Sequence, residues 1–286
     1  MPGSSNNSFE LHAGALRLAV RPDLGGAIAG LWHRTTPLMR SAEPGELASS
    51  RQSASYPLVP YSNRLGYRHF RWKGKEYTTA ANFGDNPHSV HGVAWLRAWE
   101  VVSSSAAELV LRYEHKADEH WPFAFEVKQY FSLTPQQLSV QLVFTNTAEI
   151  AAPVGLGWHP YFPTRARSHL QIELSDRWES DATQLPTRKV VQHDIDGDVS
   201  HFDFDHCFEG WKGPARIRDE KFSLQLTSSL PYLVVYTPHD KDYFCVEPVS
   251  HVSNAIHMAD PAQHGLLTLD PGQATEAWMK VDVTPL

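Results

Sequence analysis

The sequence predicts an all-β protein, a stack of twisted antiparallel sheets, and three observations carry that prediction. Apolar and polar residues alternate with period two along most of the chain, turn residues interrupt the alternation at short intervals, and helical periodicity is scarce. A strand of this kind buries one face and leaves the other wetter. Many short strands with few helices fold as a sandwich or barrel of stacked sheets.

Leu16-Arg17-Leu18-Ala19-Val20 opens the pattern, and Pro22-Asp23-Leu24-Gly25-Gly26 supplies the turn that follows it. Residues 41–52 offer at most a helical turn or two. Trp72-Lys73-Gly74-Lys75-Glu76-Tyr77 reads as a hairpin around one tight turn. Leu109-Val110-Leu111-Arg112-Tyr113, residues 123–131 and Leu138-Ser139-Val140-Gln141-Leu142 all alternate, with Thr134-Pro135 as punctuation. Phe222-Ser223-Leu224-Gln225-Leu226 repeats the in/out pattern, and Asp270-Pro271-Gly272 is expected to join Leu267-Thr268-Leu269 to residues 277–281 as a closing hairpin. No internal repeat, low-complexity block or Pro/Gly-rich linker divides the chain, so a single β-domain over residues 1–286 is expected.

Composition narrows the function. Hydrophobic residues at 42% and charged residues at 20% exclude intrinsic disorder in a chain of 286 residues. A formal net charge of −7 gives no electrostatic footprint for nucleic acid. No apolar run approaches the ~18 residues that would span a bilayer. The start, MPGSSNNSFELHAG, has neither the basic nor the apolar region of a secretory signal. Cys207 and Cys245 form neither a disulfide framework nor a CxxC pair. The expectation is a soluble cytoplasmic protein with no membrane or nucleic-acid partner. The sequence sets no oligomeric state. The excess of 16 His and 32 aromatic residues calls for explanation.

Four segments concentrate the chemistry. Pro60-Tyr61-Ser62-Asn63-Arg64-Leu65-Gly66 places one fixed cation and one amide in a turn-rich stretch. An Arg fork can hold two oxygens at once, although an ordinary solvated Arg fits the same residues. His88-Ser89-Val90-His91-Gly92 follows a Gly/Pro/Asn-rich loop, and its HxxH spacing is a weak metal signal with no matching carboxylate or Cys. Gly155-Leu156-Gly157-Trp158-His159-Pro160-Tyr161-Phe162 runs a strand into a proline stop, and His159 reads either as a core histidine or as a general acid beside aromatic faces. Phe244-Cys245-Val246-Glu247-Pro248-Val249-Ser250 sets a carboxylate in an apolar strand, where it points outward or is paired, protonated or functional. Pro248 is expected to end regular pairing there and open the strand onto a cleft. Phe202-Asp203-Phe204-Asp205-His206-Cys207-Phe208 is a further charged knot among aromatics.

In this order the motifs PYSNRLG, NPHSVHG followed by Trp95 and Trp99, HPYF, FDHCF and VEPVSHVSNA resemble the aldose 1-epimerase (galactose mutarotase) family across residues 16–281. The resemblance implies a large twisted antiparallel β-sandwich of the galactose mutarotase-like type with the sugar in an open cleft. It implies a reaction without cofactor or metal, the interconversion of the α and β anomers of a free hexose. Carried over to the matching positions, His159 would be the general acid at the ring oxygen and Glu247 the base at the C1 hydroxyl. His91 would help hold the sugar near the ring oxygen, Arg64 and Asp205 would grip its hydroxyls, and Asn63 adjoins Arg64 as a further substrate-binding position. His88 and Cys245 receive no role. Ring opening in this scheme starts from an ionised Glu247 and a protonated His159, and a neighbouring carboxylate would hold the imidazole protonated to higher pH.

Other classes use similar residues. A glycosidase would also employ two carboxylates, for which Asp205 and Glu247 are candidates. A non-catalytic carbohydrate-binding protein of the same fold is a second alternative. A third keeps the reaction but takes a sugar phosphate or other anionic sugar, toward which Arg64, Arg68, Arg71, Lys73 and Lys75 would contribute, unless these charges form a solvated hairpin face.

Overall fold

A computed structural model describes residues 8–286. Among these residues are 27 β-strands and seven short 3-10 turns with no α-helix, so the all-β expectation is met. Residues 41–52 carry two of those turns, Pro44–Glu46 and Ser50–Gln52.

Two large antiparallel sheets form the body. The first has nine strands in the order Glu100–Ser104, Glu108–His115, Phe125–Leu133, Gln137–Asn146, Ala274–Pro285, Phe222–Ser228, Lys212–Arg218, His169–Glu173 and Ile195–Asp198. The second has eight strands. From one edge run Pro186–Val191, Asp176–Ser180, Asp205–Glu209, Tyr232–Tyr236 and Tyr243–Val249, after which Gly157–Trp158 and Pro57–Leu58 complete the path. Tyr161–Pro163 also pairs with Tyr243–Val249. A four-stranded sheet built from Phe9–Ala13, Leu16–Arg21, Ala27–His33 and Thr36–Pro37 packs into the same core.

Alternation sets the packing. In Gln137–Asn146 every second residue, Leu138, Val140, Leu142, Phe144 and Asn146, is buried, and Phe125–Leu133 repeats the pattern with Phe125, Val127, Gln129, Phe131 and Leu133. Apart from the polar Gln129 and Asn146, these side chains meet Phe208, Leu233, Val235, Phe244, Val246, Trp158 and Phe162 from the eight-stranded sheet in one continuous apolar cluster. Each such side chain contributes roughly 1.5–3 kcal/mol of burial. The opposite face of the eight-stranded sheet is covered too, by a second cluster that includes Tyr56, Leu58, Trp95, Tyr161, Cys207, Val234 and Cys245. That second face carries the candidate site.

Two expectations are corrected. The hairpin at Trp72 forms as expected, with Trp72 opposite Lys75, but Leu267–Leu269 and Ala274–Pro285 do not pair with each other. Leu267–Leu269 joins Ala152–Val154, whereas Ala274–Pro285 lies between Gln137–Asn146 and Phe222–Ser228. The buried amide of Asn146 explains the separation: Nδ2 donates to Leu269 O at 2.8 Å and Ile150 O at 3.0 Å, while the Gly272 N–H donates to Asn146 O. The turn is thereby tied to Asn146, and its two arms are sent to different sheets. Nor does Pro248 end its strand. Pairing continues through Leu233–Pro248 and Tyr232–Val249.

Candidate active site

Strand register builds the site. Gly157 lies opposite Val249 and Tyr161 opposite Cys245, so the intervening His159 falls opposite Glu247. On its other side the His159 N–H donates to Tyr56 O at 3.0 Å. Cys207 faces Val234, and Val234 faces Glu247, so one row across the sheet reads Cys207, Val234, Glu247, His159, Tyr56. The next row, two residues along each strand, reads Asp205, Tyr236, Cys245, Tyr161. Residues two apart on a strand share a face. All these side chains therefore project to the same side.

Above the two rows lies a cavity of about 310 Å³, within the range typical of small-molecule sites. His159, Glu247, Asn63, Arg64, His91 and Asp205 all line it, so the six residues singled out from the sequence converge. His159 Nε2 stands 3.3 Å from Glu247 Oε1. The His159 ring stacks on Tyr161 with centroids 4.4 Å apart, tilts against Tyr56 at 4.9 Å and meets His91 edge-on at 5.1 Å. Trp158 turns the other way into the sandwich, where its Nε1–H donates to Gln129 Oε1 at 3.2 Å, and Gln129 Nε2 donates to Gly26 O at 2.9 Å. This buried strut fixes the peptide from which His159 projects.

The loop of Asn63 and Arg64 is equally constrained. The Asn63 N–H donates to His91 Nδ1 at 3.1 Å, leaving Nε2 to carry the imidazole hydrogen, and the His91 N–H donates back to Asn63 O at 2.8 Å. Asn63 Oδ1 accepts from the Arg64 N–H and Nη1, both at 2.9 Å, and from Ser253 Oγ. Asn63 thus spends its oxygen on aiming Arg64. Arg64 Nη2 donates to Gln184 Oε1, while its buried Nε has no partner.

Burial dominates the electrostatics. It pushes the Glu247 carboxyl well above the usual range; Asp205 adds to this and Arg64 opposes it. Burial likewise drives His159 well below its ordinary value, assisted by His91 and Arg40. His91 falls to about 3, through burial first and then Arg64 and Arg51. Burial therefore works against the expectation that a carboxylate neighbour keeps His159 protonated, because desolvation of both partners opposes their attraction. Both directions work against the ion pair and toward a neutral carboxyl beside a neutral imidazole.

The HxxH pair does not converge as a ligand set. His88 Nδ1 accepts the Tyr67 N–H at 2.8 Å, its Nε2–H donates to Thr183 O at 3.0 Å, and His91 Nδ1 is occupied by Asn63. Donor atoms of His159, Cys245 and Glu247 do lie within 4.8 Å of one another. Burial pushes the Cys245 thiol far up, however, and His159 Nδ1 lacks the hydrogen-bond partner that orients a metal-bound imidazole. The chemistry of this donor set suits proton transfer better than metal ligation.

Several lining residues were missed in the sequence. Tyr56, Tyr236, Tyr243, Phe83, Arg51 and Gln184 reach the cavity from separate segments, and only strand pairing brings them together. Arg40 braces the aromatic wall from behind, 3.6 Å over Tyr161 and 4.7 Å over Tyr243, with Nη2 donating to Ser53 O at 2.6 Å. Of the basic cluster only Arg64 lines the cavity; Arg71, Lys73 and Lys75 are exposed on the hairpin.

The two-sheet body with a polar, aromatic-walled cavity on one sheet face is the mutarotase-type architecture. The family model described as aldose 1-epimerase matches residues 7–282, and the chain belongs to that family. It is 34% identical to the uncharacterised protein YphB of Escherichia coli (strain K12), over 96% of this chain and 98% of that protein. It superposes on the crystal structure of an Escherichia coli K12 protein with a TM-score of 0.89 at 32% identity, covering 98% of this chain and 99% of the other. The fold also matches a galactose mutarotase-like protein from Clostridium acetobutylicum with a TM-score of 0.86 at 18% identity, covering 98% and 95%. Family and fold support mutarotase-type isomerase chemistry on a sugar. Among the described residues no helix is long and apolar enough to cross a membrane.

Proposed function

We propose that the chain interconverts the α and β anomers of a free hexose, with Glu247 working at the C1 hydroxyl and His159 at the ring oxygen. One observation carries the reading: His159 and Glu247 oppose each other 3.3 Å apart in a cavity shared with Arg64, His91 and Asp205. Ring opening needs one proton removed from the C1 hydroxyl and another delivered to the ring oxygen. A Glu247 carboxylate takes the first and a His159 imidazolium gives the second as the C1–O5 bond breaks. The products are an open-chain aldehyde, a neutral carboxyl and a neutral imidazole. After rotation about C1–C2 the steps reverse. Glu247 returns its proton to the carbonyl oxygen, His159 takes the C5 hydroxyl proton, and the ring closes on the other face.

The burial that opposes the ion pair favours this opening step, because the two proton transfers discharge two desolvated charges. The shared proton reaches the starting arrangement by crossing the Oε1–Nε2 contact. No covalent intermediate is required, consistent with Cys245 being buried and neutral. Tyr56, Tyr161 and Phe83 offer faces for sugar C–H groups, while Arg64 and Asp205 offer donors and acceptors for hydroxyls.

The test is a panel of freshly dissolved pure anomers followed by NMR, with the spontaneous rate subtracted. Acceleration of at least one free hexose, abolished by Glu247→Gln, is expected. Hydrolysis of a glycoside, or binding with no acceleration, would overturn the reading in favour of a glycosidase or a binding protein. A hexose phosphate belongs in the panel because Arg51 lines the cavity, lies 4.2 Å over Phe83 and takes part in none of the described ion pairs. A preference for the phosphate would shift the substrate to anionic sugars.

A further inference from the structure

We propose that Gln184 is a substrate-contacting residue that selects among sugars by their ring hydroxyls, and that His88 is the positioning residue that holds it at the cavity. The proposal rests on the mutarotase reading and assigns specificity within the same site.

Gln184 sits at the tip of the hairpin between Asp176–Ser180 and Pro186–Val191, the edge of the eight-stranded sheet. Both strands are largely exposed or half-buried, so little apolar burial holds this hairpin in place. Its tip is nevertheless tightly built. Asp181 Oδ1 accepts from the N–H groups of Thr183 and Leu185 and from Thr183 Oγ1, at 2.7, 3.1 and 2.6 Å. Gln184 itself is left-handed, with φ of +64°, a conformation that a side-chain-bearing residue rarely adopts unless its surroundings impose it.

Two contacts tie that tip to the sugar-binding loop. Gln184 Oε1 accepts from Arg64 Nη2, and Thr183 O accepts from His88 Nε2–H at 3.0 Å. His88 is fully buried and its Nδ1 accepts the Tyr67 N–H, so one ring bridges the segment following Arg64 to the residue preceding Gln184. The bond from Arg64 uses the Gln184 oxygen, and the amide NH₂ is left as a donor at the cavity rim. The Arg64 guanidinium and the side chain of Asp205 line the same cavity. Two donors beside an acceptor match a vicinal pair of hydroxyls, each of which both donates and accepts. The substrate class is therefore a pyranose with adjacent free hydroxyls on the face turned to this rim.

Gln184→Gly is the informative variant, since glycine accepts the left-handed backbone while the whole side chain, amide included, is removed. It is to be compared with the parent on a hexose, its epimers and its monodeoxy analogues, by anomer-exchange NMR for turnover and by ligand-observed NMR for binding. A KM raised about tenfold on the hexose with kcat within about twofold, and a smaller penalty for one deoxy analogue than the parent shows, is expected. His88→Leu should raise KM in the same way, and His88→Gln, whose amide can donate to Thr183 O, should recover part of the loss. Unchanged KM, binding and epimer preference in Gln184→Gly on sugars that the parent accepts would overturn the proposal while leaving the mutarotase reading intact. A parent that neither turns over nor binds any sugar would overturn both. If His88→Leu fails to fold, His88→Gln decides the positioning role: KM and epimer preference altered in the direction of Gln184→Gly support it, and loss of kcat alone refutes it.

Discussion

His159, between the strands Gly157–Trp158 and Tyr161–Pro163, lies 3.3 Å from Glu247 of the neighbouring strand, and burial moves them in opposite directions, the imidazole down and the carboxyl up. In the proposed mechanism the working pair holds one proton. Adding a second charges the imidazole, which burial delays to pH values below its ordinary 6.5. Losing the only proton ionises the carboxyl, which burial delays to pH values well above 4.5. The acid limb of the rate profile should therefore belong to His159 and the alkaline limb to Glu247. Nitrogen chemical shifts of the His159 ring in the free protein check the order directly; an imidazolium persisting at neutral pH would contradict it.

Glu247→Gln keeps the shape of the carboxyl but removes the proposed base, and His159→Asn removes the proposed acid. Each should lower kcat at least about 100-fold, the lower end of what a positioned acid or base contributes. Both groups serve one proton circuit, so the double variant should be little slower than the poorer single one. Near-parent turnover by Glu247→Gln on every accepted sugar would remove Glu247 from the chemistry.

Extensive chelation with EDTA should leave activity intact, because the proposed steps move protons between oxygen and two side chains. Metal analysis of the active protein checks this independently. Activity lost on chelation and restored by zinc would turn attention to His159, Cys245 and Glu247 as ligands.

Arg64→Lys replaces a fork aimed by Asn63 and Gln184 with a point charge. KM should rise by the equivalent of about 1–2 kcal/mol, with a smaller effect on kcat. Steady-state kinetics on the preferred hexose measures the split, and an unchanged KM would move Arg64 off the binding surface.

His251 links pH to stability. Its Nε2 accepts the Ser62 N–H at 3.1 Å, its Nδ1–H donates to Val252 O at 2.7 Å, and burial lowers its pKa from 6.5 to about 4. The folded value is depressed, so stability is full above pH 6.5 and falls as the unfolded chain takes up a proton that the folded one refuses. By pH 4 the loss from this site reaches about 3 kcal/mol. Urea unfolding between pH 7 and pH 4.5 should show His251→Gln less stable than the parent at neutral pH but less sensitive to acid.

Legibility in the sequence followed the environment of each strand. Gln137–Asn146 buries one face only, so its alternation could be read directly. Tyr243–Val249 is buried on both faces from Phe244 onward, and there alternation carries no information. Glu247 was found there through motif resemblance, its carboxylate standing out in an apolar run. Tyr56, Tyr236 and Gln184 carried no local signal, because their place in the cavity comes from pairing with distant segments. The hairpin at Asp270-Pro271-Gly272 was misread for the same reason: its turn residues are genuine, but Asn146, more than 100 positions earlier, decides where the arms go.

The row Cys207, Val234, Glu247, His159, Tyr56 draws each member from a different segment, the first three from strands and the last two from the stretches next to Gly157–Trp158 and Pro57–Leu58. On the proposed mechanism the proton-transfer pair and the sugar-binding residues come together only in the complete assembly, so activity is expected only when the last of these segments has docked. Catalytic activity during refolding thus becomes a clock for completion of the fold. It should emerge with the slowest phase of tryptophan fluorescence, because contacts this distant in sequence are the slowest to close.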